Sequence, residues 1–564
     1  MTDEQMSQES SPLASSVTRR KVLMGAGAAI GIAAVSAIAI QNSSAQDEPI
    51  KEEQSGTGPA TPNALSASPV PDEITQYASD WPVTYGNLQA TRAALNSSIN
   101  ASNLSKLTEI WSVPITAQGN FSGMTGTPIV LGDTIYMQDM ESNCYAVKRD
   151  TGELIWKTDY NDPSNGPNGV AVAYGMVFAA TGDTSTAFAL DAATGKQIWA
   201  VKLTNNNYEC IDMTPAVYDN FVYVSTNPNN TAYGNYRGGA RGILWALDAG
   251  TGATMWSFDT AANNLWNAPR INSGAGLWYP PSFDEDGQMY FGTGNAGPYP
   301  GNAEFPNGTS RPSPNDYADS MVAIDLATGG VNWSINAAPL DLFDHDFQLT
   351  PVLATVKLND TDTLVSIGAG KTGTVIAASA KTGALLWKTE VGMHENDQLE
   401  ELPPGTTRVY PGGLGGVISP LAYAEGLVFA PYIDSPMYVT PTEGGDAPDD
   451  RPPSTGGIAA IDVVSGNVVW DNKVAAFVAA GATVVNDVVL SGSLDGYLRA
   501  FHLKTGEQVW EWQGPAGLNA PPAVAGDTII IPACGPYIAA AFGDGTPVPT
   551  GTGAPAVVAL KLGS

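Results

Sequence analysis

Three aspartates stand within seven residues in Asp341-Leu342-Phe343-Asp344-His345-Asp346-Phe347. If residues 344 to 346 are extended, Asp344 and Asp346 share one face about 6 to 7 Å apart, at a rise of roughly 3.3 Å per residue. Two ionised carboxylates so placed repel each other unless a cation sits between them. A hard, oxygen-preferring ion suits that position. Such an ion polarises a carbonyl, while a carboxylate beside it can act as a general base. The bland alternative is a solvated acidic loop.

Other chemistries find little support. Three histidines and no G-x-S-x-G elbow argue against hydrolytic triads, and His394-Glu395 lacks the second histidine of a zinc protease helix. His394 and His502 read as surface residues. Lys371 lies in a Gly-Lys-Thr run, but a phosphate loop would need glycine where Val365 stands. Cys144, Cys210 and Cys534 are far apart with no C-x-x-C-H, so a disulfide framework, a zinc ribbon and a covalent haem are all unsupported. With 56 acidic against 25 basic residues the net charge is −31, which disfavours nucleic acid as a partner. The chain is 43% hydrophobic and only 14% charged, enough for a large core, and its 61 Gly and 41 Pro imply many turns and few long helices.

The element that must position these groups recurs. An apolar strand, an Ala-x-Asp-like tripeptide and T-G-x-x-x-W appear in seven copies, ending at Trp156, Trp199, Trp256, Trp333, Trp387, Trp470 and Trp510. Each copy reads as a β-hairpin with Thr/Ser-Gly at its tip, and the upstream segments supply two more strands. Four strands per repeat is the unit of a β-propeller. An eighth unit is divided between the ends: LSKLTEIWSV carries Trp111 without the preceding strand, and PAVVALKL is that strand without the Trp. The expected fold is therefore all-β, an eight-bladed propeller of four-stranded antiparallel blades closed by the N- and C-terminal strands. Repeat tryptophans read as inter-blade packing, which leaves Trp81, Trp245, Trp266, Trp278 and Trp512 as candidates for a site.

These repeats resemble those of the eight-bladed quinoprotein alcohol dehydrogenases, from about Asp80 to the C-terminus, and Asp80-Trp81-Pro82 with the following VTYGNLQATR resembles that family's start. The resemblance implies a cofactor, pyrroloquinoline quinone (PQQ), and a bound Ca²⁺ or lanthanide. It places Trp278 under the flat quinone, Lys371 of GAGKTG at the quinone oxygens, Asn295 of GTGN as a metal ligand, and Asp344 as general base and metal neighbour. Three departures stand out. The family's Glu metal ligand falls in a stretch offering only Asn227, Asn229 or Asn230, so Asp346 would supply the charge. A second family Glu aligns with Thr125, and no vicinal cysteines are present. The segments GGLGGVISP and DHDF also resemble polyvinyl-alcohol dehydrogenases.

Ahead of the repeats, Thr18 to Met24 (TRRKVLM) and the apolar run Gly25 to Ile40 have the layout of a twin-arginine signal, with Ser43-Ser44-Ala45 suited to cleavage. The expected organisation is a signal over 1–45, a linker over 46–76 and the propeller over 77–564, with the product periplasmic, extracellular or at the cell surface. The leading functional reading is an exported dehydrogenase that oxidises a small or polymeric alcohol and passes electrons to an external acceptor. Its rival is a non-catalytic scaffold or binding propeller. A third reading, a lectin-like propeller, draws on the Asn- and Tyr-rich stretches 205–208 and 227–236.

Overall fold

The computed structural model describes residues 64–563, except 118, 120, 230–237, 446–447, 449–451 and 536–553. The signal and most of the expected linker lie outside these residues. Among the described residues, eight sheets each built on four antiparallel strands follow one another along the chain, and the short strand Ala93–Ala94 adds in parallel to the edge of the seventh. The first blade is Ile129–Leu131, Thr134–Gln138, Cys144–Lys148 and Leu154–Thr158; the fourth is Ser282–Phe283, Gln288–Gly292, Ser320–Asp325 and Val331–Asn336; the fifth is Val352–Leu358, Thr361–Gly368, Thr374–Ser379 and Leu385–Glu390. The last sheet takes Ala523–Ala525, Thr528–Ala533 and Ala556–Leu562 from the C-terminal end and Leu107–Pro114 from the N-terminal end. Within it Trp111 pairs with Ala559, and Leu107 with Leu562.

The repeat motif explains itself in contacts between blades. In the second blade, Asp191 accepts hydrogen bonds from the backbone N–H and hydroxyl of Thr194 at 2.8 and 2.6 Å, which closes the hairpin turn; Asp248 does the same for Thr251. The glycine after that threonine has positive φ, 73° at Gly252, and a Cβ there would lie 2.6 Å from the ring of Trp199 on the preceding blade. The same indole donates its N–H to Ala249, three residues before the glycine. Trp111, Trp156, Trp333, Trp387 and Trp470 repeat both contacts on Gly152, Gly195, Gly383, Gly466 and Gly506. Each tryptophan is thus a wedge seated on the next blade, and apolar cores such as Phe178, Val222 and Leu247 fill the space between blades.

Packing against the propeller begins before residue 77. Leu65 and Ser66 donate backbone N–H groups to Asn220, and the short helix Asp72–Gln76 buries Ile74. The Pro, Ser and Glu composition that suggested a linker hides two apolar anchors, Val70 and Ile74, on the blade surface.

Two glycine substitutions separate backbone strain from docking. Gly175 has φ 69° with open space around its missing Cβ. Gly175→Ala is expected to cost about 1–2 kcal/mol, the left-handed penalty alone. Gly252→Ala should exceed it by about 1–3 kcal/mol through overpacking on Trp199. Chemical denaturation of the two variants measures the difference, and equal losses would contradict the wedge role.

Candidate active site

The second strand of each blade runs to the same end of the ring, and the loops beyond those ends carry the candidate residues. Asn295 follows Gln288–Gly292, Lys371 follows Thr361–Gly368, and Asn227 closes Phe221–Pro228. Asp344 and Asp346 lie in the connection between the fourth and fifth blades. Close backbone approach brings these loops together. Lys371 donates its N–H to the Asp346 carbonyl at 2.8 Å, and Thr293 bridges to Phe347. A Cβ on Gly294 would stand 3.0 Å from both Asp346 Oδ1 and Trp278 Nε1. On Gly413 it would stand 2.9 Å from Asp344 Oδ2, which accounts for one of the four glycines in 412–416.

At the centre is one ammonium between two carboxylates. Lys371 Nζ lies 2.8 Å from Asp344 Oδ2 and 2.5 Å from Asp346 Oδ2, and it sits 5.3 Å from the centre of the Trp278 ring. Asp346 is fully buried; its Oδ1 accepts the Asn295 N–H at 2.6 Å, while its Oδ2 makes an ion pair with Lys371 without the alignment of a hydrogen bond. Burial pushes Asp344 from the ordinary 3.8 up to about 7 against the opposing pull of Lys371, and neighbouring Asp346 pushes it further the same way. Burial alone would lower Lys371, but Asp344 and Asp346 hold it above its usual value, so the ammonium stays charged.

The surrounding loop is locked rather than solvated. Asp341 accepts from the backbone N–H of Phe343 and of His345 at 2.8 and 2.9 Å, and the His345 ring is hydrogen-bonded to the Pro411 carbonyl. His345 is 2% exposed, so the solvated-loop alternative does not describe it. Nor are residues 344 to 346 extended. Asp344 has φ 64°, a left-handed conformation that aspartate tolerates better than most residues, and this turn aims both carboxylates at one nitrogen instead of leaving them side by side on a strand. Trp278, Asn295, Asp344, Asp346 and Lys371 therefore converge. Trp81, by contrast, is buried against the Arg92 guanidinium, and Trp266 is buried in its own apolar cluster. Thr125 donates to the Met140 sulfur and adds no charge. His394 is not a free surface residue, since it pairs with Asp397 at 2.7 Å.

Two residues escaped the sequence reading. Arg311 is buried and donates to the carbonyls of Ala296 and Asp341, which ties the Asn295 loop to the aspartate loop. Asp319 is fully buried, and neither carboxylate oxygen has a hydrogen-bond partner. Its backbone N–H donates to the Gly294 carbonyl. Neither lies in a recognisable motif: Asp319 precedes an ordinary apolar strand, and Arg311 sits in a Pro- and Ser-rich loop.

Comparison with known proteins agrees with this architecture. Residues 81–401 match the family described as glucose/ethanol/alcohol dehydrogenase, β-propeller domain, of the PQQ type. The chain belongs to the PQQ-dependent alcohol dehydrogenase family. By that membership it is an oxidoreductase of the quinoprotein kind. Residues 454–547 also match a family described as outer membrane protein assembly factor BamB. The quinohemoprotein alcohol dehydrogenase of Comamonas testosteroni is 25% identical over 83% of this chain and 74% of its own. Its crystal structure superposes with a TM-score of 0.74 at 22% identity, covering 88% of this chain and 82% of that one. The lanthanide-dependent methanol dehydrogenase of Methylacidiphilum fumariolicum is 26% identical over 81% of this chain and 85% of its own. A polyvinylalcohol dehydrogenase from a Sphingopyxis species is 25% identical over 68% and 60%.

The residues present fit the family's groups. Buried oxygens without hydrogen-bond partners crowd this region: Oδ1 of Asn227, Oδ2 of Asp346 and both oxygens of Asp319. A hard cation satisfies oxygen donors of this kind. Among the described residues no three His, Cys, Asp or Glu side chains gather as a metal cluster, so the donor set of Asp344 and Asp346 needs an amide to complete it. The partly exposed ring of Trp278 offers a face for a planar quinone.

Two outcomes check this electrostatic picture. Lys371→Met leaves two buried carboxylates without their cation and should destabilise the metal-free protein by about 3–5 kcal/mol, a loss that added Ca²⁺ partly restores in thermal unfolding. Because Asp344 titrates near 7 in the fold and near 3.8 when unfolded, the native state holds a proton that the unfolded chain has released between those values. Its contribution to stability is full below the lower value and is lost as pH rises through the upper one. Asp344→Asn should flatten that part of the melting-temperature profile; an unchanged slope would contradict the raised value.

Proposed function

We propose that the protein is an exported dehydrogenase that oxidises the CH–OH group of a small or polymeric alcohol, with PQQ and a bound Ca²⁺ or lanthanide as its cofactors. The observation that carries this reading is the convergence of Asp344 and Asp346 on the ammonium of Lys371, with the Asn295 N–H on Asp346 and the ring of Trp278 5.3 Å from the ammonium. PQQ, when bound, supplies the two-electron acceptor for the hydride, and the cation polarises it.

The chain's own residues divide the remaining work. Trp278 presents its face to the cofactor plane, and Lys371 offers a charged donor to its oxygens. Asp346 and Asn295 would hold the cation beside it, with Asp344 as a third donor. Asp344 accepts the alcohol proton at a carboxylate oxygen, and its elevated affinity for protons in the metal-free site makes it a better acceptor than an exposed aspartate. The closely packed loops around it limit water at the reacting centre. In this reading electrons leave to an external acceptor. The twin-arginine segment Thr18 to Met24 supports export in a folded state.

Asp344→Asn preserves shape and removes the proton acceptor. Turnover of the reconstituted protein should fall by about 10²- to 10⁴-fold while PQQ binding, read from quinone absorbance, changes far less. Trp278→Ala should reverse the pattern, with PQQ binding weakened by roughly 2–4 kcal/mol. Wild-type protein that binds neither PQQ nor a cation would overturn the reading and leave a scaffold propeller, the kind of protein that the match over 454–547 names.

A further inference from the structure

Acidic side chains outnumber cationic ones around Lys371, and one of the acids has no assigned task. Four carboxylates, Asp319, Asp341, Asp344 and Asp346, influence one another here, and the cationic side chains among them are Lys371 and Arg311. Asp341 is committed to two backbone N–H groups, and Asp344 and Asp346 share Lys371. Asp319 alone has no hydrogen-bond donor on either oxygen, although it is fully buried. Its backbone is left-handed, with φ 50°, and its N–H is tied to Gly294, the residue before Asn295. An apolar side chain there would avoid the desolvation that a carboxyl group suffers.

A second set of orphaned atoms lies in the same region. Asn227 closes the second strand of the third blade with both side-chain atoms buried and unpartnered, and a Cβ on Gly276 would sit 2.0 Å from its Oδ1. Gly276 in turn accepts the Gly294 N–H at its carbonyl. Asn227 contributes a neutral dipole where an acid would contribute charge. Burial and the neighbouring carboxylates of Asp341 and Asp346 raise Asp319 well above the usual carboxylate range, which favours its neutral form in the ion-free site, and a cation entering the site favours the ionised form.

We propose that Asp319, once a cation is bound, adds to Asp346 the negative charge missing at Asn227 and, tied by its backbone to Gly294 just before Asn295, makes the site favour a cation of higher charge. This rests on the cation site of the proposed function but not on PQQ or turnover. Asp319 is a positioning residue: it acts on the ion through the field it adds, which grows with the charge of the ion. Removing it should therefore weaken a trivalent ion more than a divalent one, a difference that loss of packing alone would not produce.

The test uses the full-length folded protein without PQQ and the ions themselves as probes. Tb³⁺ binding is read from luminescence sensitised by nearby tryptophan, and Ca²⁺ binding by competition against Tb³⁺. Asp319→Asn, which tolerates the same backbone, should lose about 10- to 100-fold in Tb³⁺ affinity and distinctly less for Ca²⁺, with melting of the ion-free protein unchanged or raised. Asp319→Ser is the second variant and should show the same order of losses. Equal losses for the two ions, or no loss for either, would overturn the proposal while leaving the dehydrogenase reading intact. Selective loss of Tb³⁺ in a protein that fails to bind PQQ would support the proposal and sink the cofactor reading. Wild-type protein that binds neither ion would overturn both.

Discussion

One ammonium held between two buried carboxylates sets the terms for the rest of the molecule. Charges removed from water are costly unless paired at short range and supported by hydrogen bonds, and Lys371 with Asp344 and Asp346 meets that condition through contacts of 2.8 and 2.5 Å. The arrangement is also reactive in the sense that matters here. A second cation can compete for the same oxygens, and a carboxylate released from the ammonium is a base in a site of low dielectric. Stability of the metal-free site and its capacity to bind an ion are therefore opposite sides of one balance.

The propeller supplies what that balance requires, which is several loops from different blades held in fixed positions. Tryptophan wedges such as Trp199 on Gly252 fix each blade against the next, so the ends of their second strands keep constant spacing. Backbone contacts among Gly294, Lys371 and Asp346 then convert blade spacing into side-chain geometry. Arg311 adds a clamp from a loop of its own by holding the carbonyls of Ala296 and Asp341. A site built this way depends on the whole ring, although its side chains span only a few loops.

The fold was legible because its signals are local and repeated. Asp, Thr/Ser, Gly and Trp in T-G-x-x-x-W each carry one physical task, and the structure gives each of them that task, as at Asp248, Thr251, Gly252 and Trp199. Trp278, Asn295, Asp344, Asp346 and Lys371 were legible as a set through short motifs. Their geometry was not, because an extended Asp344 was the simplest assumption and its φ of 64° arises from loop packing that no spacing encodes. Asp319 and Arg311 were invisible for a related reason. Their meaning lies in which buried partners they have or lack, and that is a property of the folded interior. The anchoring of residues 64–76 was missed because two apolar side chains do not stand out in a polar stretch.

If the carboxylate pair holds a cation beside a quinone, as proposed, Lys371 must give way when the ion arrives. The most direct measurement is a crystal structure of protein reconstituted with PQQ and a lanthanide, with data collected at the absorption edge of the metal. The account predicts one anomalous peak at direct ligand distance, roughly 2.3 to 2.6 Å, from oxygens of Asp344, Asp346 and Asn295, with the quinone plane on Trp278. An anomalous map without that peak, with the Lys371 ammonium still between the two carboxylates, would contradict it.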